Sequence, residues 1–354
     1  MDNGSTVKTL YHNAAEYQFS AFSELFDKLS PGSLSEGILN AYAMRGQIRL
    51  FAGDDTCIQD LEKADALDGM PWFPCLSRPW RPDSPNRFVV FRETNGGIRQ
   101  FLRLLPRARK ILTRRYGEEG GGMARQMESE IHYFLGDFDL AMALAEEQYK
   151  RTRKHYGESL MAQFVLYRCY LATGAPDKAE RCMLDIVRAV RMHPECIGPY
   201  REIREWANIT TGWSGDSPRF CPAPGGGSQP VLDDRRAALR HGLSLLSPSE
   251  KPFAVYAKQR YEGVYTMRQY YMDIFLCIHW FQAGDVKQAE SHFIRAYHVA
   301  AASGLVMPFV EYGGQIIPLL GYIKENNTEC PPEWISAIIP QAEQYEESLT
   351  AYRK

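Results

Sequence analysis

Glycine recurs in this chain where one apolar helical run stops and another begins. The four places are Leu50-Phe51-Ala52-Gly53-Asp54, Phe134-Leu135-Gly136-Asp137, Leu171-Ala172-Thr173-Gly174 and Phe281-Gln282-Ala283-Gly284-Asp285. An alanine stands five residues past the glycine in the last three (Ala141, Ala179, Ala289), and Ile58 holds that place in the first. Glycine just beyond a helix end takes the left-handed conformation that closes the last turn without a Cβ clash. An aspartate directly after it is suited to cap the first free amides of the next helix. In the third copy Pro176 falls where its fixed φ and missing N–H suit a first helical turn. The small alanine then lets the second helix lie close against the first. The pattern is a helix-turn-helix hairpin written repeatedly, and it commits the chain to an all-α fold.

Gly136 and Gly174 are 38 residues apart, between the ~34 of a tetratricopeptide repeat and the ~40–47 of other helical-pair repeats. Gly53 to Gly136 spans 83 residues and Gly174 to Gly284 spans 110, near two and three such units. The expected architecture is therefore an α-solenoid of tetratricopeptide-like antiparallel helix pairs, each unit packing on its neighbours. Residues 1–210 are expected to form N-terminal helical repeats, with helices near 13–29, 36–52, 57–67 and 97–115. An irregular insertion at 69–97 carries Pro71, Pro74, Pro79, Pro82 and Pro85, which forbid a regular helix. Residues 211–230, rich in Gly, Pro and Ser, read as a flexible linker. Residues 231–354 form C-terminal repeats, with helices near 232–246, 250–262, 264–282, 285–303, 307–323 and 332–352. The last helix carries Trp334, Ile335, Ile338, Ile339, Ala342, Tyr345 and Leu349 on one face, as a terminal cap would.

Catalytic patterns are scarce. Gly117-Glu118-Glu119-Gly120-Gly121-Gly122 lacks the lysine and the strand of a phosphate loop, and its glutamates repel phosphate, so it reads as an interhelical turn. The 8 histidines include no His-Glu-x-x-His, and His292 and His298 are off one helical face. Gly212-Trp213-Ser214-Gly215-Asp216 fails the hydrolase elbow at Asp216. No enzyme class, cofactor or metal is implied. The 8 cysteines, with no Cys-x-x-Cys pair, read as free thiols of a reducing cytoplasm. No signal core and no membrane-length apolar run is present. The net charge of −2 argues against the whole chain acting as a nucleic-acid clamp.

A solenoid offers surface, so the candidate sites are binding sites. Arg99, Arg103, Arg107 and Lys110 share a helical stripe within a run that also holds Arg109, Arg114 and Arg115. The stripe suits an anionic effector or an acidic partner; the plainer reading is a solvated face balanced by Glu118, Glu119 and Glu128. Tyr261, Tyr265, Arg268 and Trp280 lie in an aromatic region interleaved with basic residues, a composition of binding surfaces, although in a solenoid such aromatics also pack between layers.

Several segments resemble the helical-repeat region of MalT-like regulators of the LuxR type. They are Asp83-Ser84-Pro85 leading to Phe91-Arg92-Glu93 and Gly96-Gly97, Tyr116-Gly117 with Gly120 to Gly122, and Gly136-Asp137-Phe138-Asp139-x-Ala141. Gly284-Asp285-x-x-x-Ala289, Pro308-Phe309-Val310-Glu311-Tyr312-Gly313 and Pro332-Glu333-Trp334 leading to Tyr345 are also similar to that family. The resemblance implies a non-catalytic sensor and oligomerisation module that binds a protein partner or small-molecule effector on its concave face. DNA would be read by a helix-turn-helix expected beyond Lys354. The alternative is a stand-alone tetratricopeptide-like scaffold for protein–protein interaction.

Overall fold

The structure is a computed structural model, and it describes residues 54–66, 90–91, 97–153, 156–211 and 265–353, with 42, 43, 45, 46, 49 and 50. Gly53, residues 69–89 and 92–96 of the insertion, the 212–230 linker, the expected helices at 13–29, 232–246 and 250–262 and most of the one at 36–52 lie outside these residues, as does Tyr261.

Within them the protein is all-α, with helices packed in adjacent pairs. The helices are α1 (Cys57–Ala66), α2 (Gly97–Leu135), α3 (Phe138–Arg151), α4 (Tyr156–Ala172), α5 (Pro176–Met192) and α6 (Ile197–Thr211). They continue with α7 (Met267–Gln282), α8 (Val286–Ser303), α9 (Met307–Val310), α10 (Ile317–Asn326) and α11 (Pro332–Arg353). Short 3-10 turns, Pro194–Cys196 and Gly313–Gln315, precede α6 and α10. Two residues on each side, β1 (Val90–Phe91) and β2 (Tyr265–Thr266), pair antiparallel and tie the insertion to the start of α7. The expected helix at 264–282 thus begins three residues late, because its first residues are in this pairing.

The three described bends are built alike. Gly136, Gly174 and Gly284 have φ of 81, 69 and 82°. At each, the glycine amide bonds back three residues and the next amide five: Gly136 to Tyr133 and Asp137 to His132, Gly174 to Leu171 and Ala175 to Tyr170, Gly284 to Phe281 and Asp285 to Trp280. This is the paired arrangement that satisfies the orphan carbonyls of a helix end. The following alanines then bond to the carbonyl four residues back, Ala141 to Asp137, Ala179 to Ala175 and Ala289 to Asp285, and all three are fully buried. In the first copy Asp54 bonds to Arg49 in the same five-residue register. Capping by aspartate holds at Asp285, whose side chain accepts from Gln288 N at 3.2 Å, but not at Asp137, which lies 3.2 Å from His132 Nδ1 instead.

The glycine cluster at 117–122 opens with the expected break between helices: Gly117 leaves helical geometry (φ 67°, ψ −157°), and α2 is two helical segments joined at that kink. Gly120, Gly121 and Gly122 belong to the second segment. Two of them serve close packing: a Cβ on Gly122 would lie 2.7 Å from Gln148 Nε2 of α3, and one on Gly121 would sit on Thr113 Oγ1. The expected helix at 307–323 is broken too, into α9, a 3-10 turn and α10.

Packing runs α2 on α3, α3 on α4, α4 on α5 and α7 on α8. Helix α11 lies on α9 and α10 but also on α4 and α5, so it crosses back to earlier helices instead of only capping the end. Helices α8 and α9 touch α2. The chain therefore closes α7–α11 against α2–α6. Among the described residues no helix is long and apolar enough to cross a membrane.

Candidate functional site

Helix α4 is buried on every side from Ser159 to Cys169, the behaviour of a helix enclosed by neighbours. Its charged residue in that stretch is Arg168, which is 0% exposed. A buried cation needs an anion and enclosing dipoles, and the structure supplies both. Glu311, also 0% exposed, follows α9 and lies 3.8 Å from Arg168 Nη1.

Glu311 has donors on both oxygens. Tyr133 Oη of α2 donates to Oε1 at 2.5 Å. Tyr271 Oη of α7 donates to Oε2 at 2.7 Å, and Trp206 Nε1 of α6 reaches the same oxygen at 3.3 Å. The Arg168 guanidinium is sandwiched by aromatic faces: Cζ is 4.4 Å from the ring centres of both Tyr133 and Phe164, 5.1 Å from Phe134 and 5.9 Å from Trp206. Such cation–π contacts strengthen where water is excluded. A second buried carboxylate, Glu130, accepts from Gln126 at 2.8 Å and adds its field to that of Arg168. Tyr345 of α11 completes the group beside Tyr133.

The charge states follow from these surroundings. Burial works against the Arg168 cation, but Tyr271, Tyr133, Glu311 and Glu130 together outweigh it, and its pKa lies above the ordinary value. Burial raises the Glu311 carboxyl above the usual range, opposed by Arg168 and the three donors. It raises the Tyr133 and Tyr271 phenols well above theirs, so both stay neutral donors.

The residues expected to bind lie elsewhere. Arg99, Arg103, Arg107 and Lys110 are exposed on α2. Arg107 pairs with Glu62 of α1 at 2.5 Å, Arg109 with Glu128 at 3.0 Å, and Arg114 and Arg115 with Asp65. Most of the basic run is thus countered by acids of α1 and α2, and Arg99, Arg103 and Lys110 form no ion pair among the described residues. Tyr265 belongs to β2, Arg268 to the first turn of α7, and Trp280 is half-buried against the core. None of these joins the Glu311 cluster; Tyr271, a neighbour in the same aromatic stretch, does. The signal available in the sequence was a lone arginine in the apolar run Leu160 to Leu171 and a lone glutamate in the run Val306 to Tyr312.

A smaller group lies between α7 and α8, where Asp273 Oδ1 is 2.7 Å from His292 Nδ1 and 2.8 Å from Arg295 Nη2. Among the described residues no three His, Cys, Asp or Glu side chains come together as metal ligands. The described cysteines 57, 169, 182, 277 and 330 are free thiols and, like Cys196, buried. No family model, no curated protein and no solved structure matches the chain.

Proposed function

We propose that the chain is the effector- or partner-binding helical-repeat region of a LuxR-type transcriptional regulator, an α-solenoid that acts by binding and not by catalysis. The observation that carries the binding reading is the repeated bend at Gly136, Gly174 and Gly284, with the same two hydrogen bonds and the same buried alanine each time. Units joined this way stack side by side, and their outer helices present a face to solvent or a ligand. Helix α8 illustrates it, burying Ala289, Phe293, Ala296 and Ala300 while Lys287, Ser291, Arg295 and His298 are exposed. The Glu311 cluster supports the same reading, since its carboxylate is filled by protein donors and its guanidinium is enclosed by rings. The regulator part rests on the similarity of the segments around Gly136, Gly284, Pro308 and Pro332.

Two measurements test the two parts. Screening small molecules for a raised unfolding midpoint tests binding, because a ligand at a hundred times its Kd adds about 2.7 kcal/mol to the native form. Selection of genomic DNA fragments by the protein expressed with its natural flanking sequence tests regulation. Enrichment of particular promoter fragments is expected; retention no better than a mock column refutes the regulator and leaves the interaction scaffold.

A further inference from the structure

The first segment of α2 carries its charge against the needs of a helix. From Gly97 to Gly117 the chain has seven arginines and lysines and no acid. In α3 and α5, by contrast, surface cations pair within their own helix: Lys150 with Glu146, Arg151 with Glu147 and Arg188 with Asp185. At about 100° per residue, Arg99, Arg103, Arg107, Lys110 and Arg114 fall within an arc of about 80°, along about 22 Å of helix. All five are exposed, and like charges three and four residues apart repel one another. Arg99 also stands in the first turn, where the helix dipole disfavours a cation.

One edge of this stripe is answered within the chain. Helix α1 packs against α2, and its Glu62 and Asp65 pair with Arg107 and Arg114, the two cations on that edge. Arg99, Arg103 and Lys110 lie on the other edge and form no ion pair among the described residues. Beside them the α2 surface presents Leu102, Pro106 and Thr113, none of them fully buried. An acidic helix laid against the cations of α2 is thus an arrangement the fold contains once, and the open edge has the charge and the neighbouring apolar strip for a second.

We propose that this edge docks an acidic amphipathic helix of a protein partner, with carboxylates on Arg99, Arg103 and Lys110 and apolar side chains over Leu102 and Pro106. Acids at three- and four-residue steps of a helix recur at the same interval as these cations. Exposed ion pairs contribute little singly, so the row acts together, fixing register and excluding basic partners, while the apolar strip adds affinity. The overall charge of −2 disfavours nucleic acid as the occupant. This docking rests on the reading that the chain acts by binding, and gives that reading one surface and one class of partner.

The test uses the whole chain at about 150 mM salt, where attraction beyond about 8 Å is screened. A labelled peptide of about 18 residues, long enough to form a helix, carries glutamates on one face beside a row of leucines. An isomer of the same composition spreads the glutamates around the helix. Fluorescence anisotropy is expected to show the first peptide binding about tenfold tighter than its isomer. Arg99→Glu with Arg103→Glu and Lys110→Glu is expected to abolish that preference with the circular dichroism spectrum unchanged. Equal binding of the two peptides, or a preference that survives the triple variant, overturns the docking. Tighter binding of a duplex oligonucleotide of the same charge overturns it in favour of nucleic acid. If the triple variant loses helicity, glutamine at the three positions takes its place under the same outcomes. A small molecule that raises the unfolding midpoint of the triple variant upholds the binding reading whatever the peptides show, so the two claims fail separately.

Discussion

Arg168→Met is the sharpest perturbation of the buried cluster. Methionine keeps an unbranched apolar stem among Tyr133, Phe164 and Phe134, so the principal loss is charge. At the 3.8 Å separation of Arg168 and Glu311, an effective dielectric of about 20 gives an attraction of roughly 4 kcal/mol. Stranding one partner of a buried pair costs about 3–5 kcal/mol in general, and the two figures agree. The loss is bounded because the carboxyl can escape by taking a proton. Glu311 already titrates above its ordinary value through burial, with Arg168 the largest influence holding it down. Removing Arg168 raises it further. A carboxyl whose folded pKa exceeds its unfolded value stabilises the fold fully below the unfolded value, near 4.3, and loses that contribution as pH rises through the folded one. The Arg168→Met deficit is therefore largest at neutral pH and shrinks on acidification toward about pH 5. Urea unfolding followed by circular dichroism measures it, with Arg168→Met/Glu311→Gln as the partner variant. The amide oxygen can accept from Tyr271 and Trp206 while its NH2 donates to Tyr133 Oη, which as a hydroxyl can also accept, and no charge is stranded, so the double variant is expected to recover more than half of the loss and to show no such pH dependence. A single variant within about 1 kcal/mol of wild type at neutral pH refutes the reasoning.

Replacing Gly174 by alanine forces a left-handed alanine at φ 69° with nothing within 4 Å of the new Cβ, so a cost of about 1–2 kcal/mol from backbone alone is expected in thermal unfolding. Gly121→Ala places a Cβ on Thr113 and is expected to cost about 1–3 kcal/mol, relieved in large part by adding Thr113→Ala. Charge reversal at Arg99, Arg103 and Lys110, all exposed, is expected to change stability by no more than about 0.5 kcal/mol each, which frees these variants for use in binding assays. Burial pushes the Cys57 and Cys182 thiols up to about 12, so peptide mapping is expected to find both unlabelled by a thiol reagent at neutral pH until urea unfolds the chain.

What was legible in the sequence lies on single residues with strong local requirements. A left-handed turn demands glycine and a close helix crossing demands alanine, so Gly136, Gly174, Gly284 and their alanines mark the bends without help from the rest of the fold. The apolar faces of α4 and α5 were readable for a similar reason, since Leu160, Phe164, Tyr167, Leu171 and Cys182, Ile186, Val190 repeat at helical spacing and are all buried. Glycine is ambiguous, however, when its purpose is space and not conformation. Gly117 supplies the break within α2 through its positive φ, whereas Gly121 and Gly122 lie in regular helix and are small because Thr113 and Gln148 occupy the room a side chain would fill; a single sequence does not separate the two roles.

The charged cluster depends on pairing across the whole chain. Arg168 and Glu311 are 143 residues apart, and local pattern says nothing about which helices meet. The conspicuous cations drew attention to 99–115, yet Arg107, Arg109, Arg114 and Arg115 are paired with nearby acids. Density of charge marks solvent; isolation of charge within apolar sequence marks a partner. A lone arginine in a helix buried all round cannot stay ionised without a counterion, and the chain offers few isolated acids in equally apolar surroundings. By that criterion Glu311, between Val310 and Tyr312, and Asp273, between Met272 and Ile274, were both candidates to pair with Arg168, and only the fold, which gives Asp273 to His292 and Arg295, decides between them.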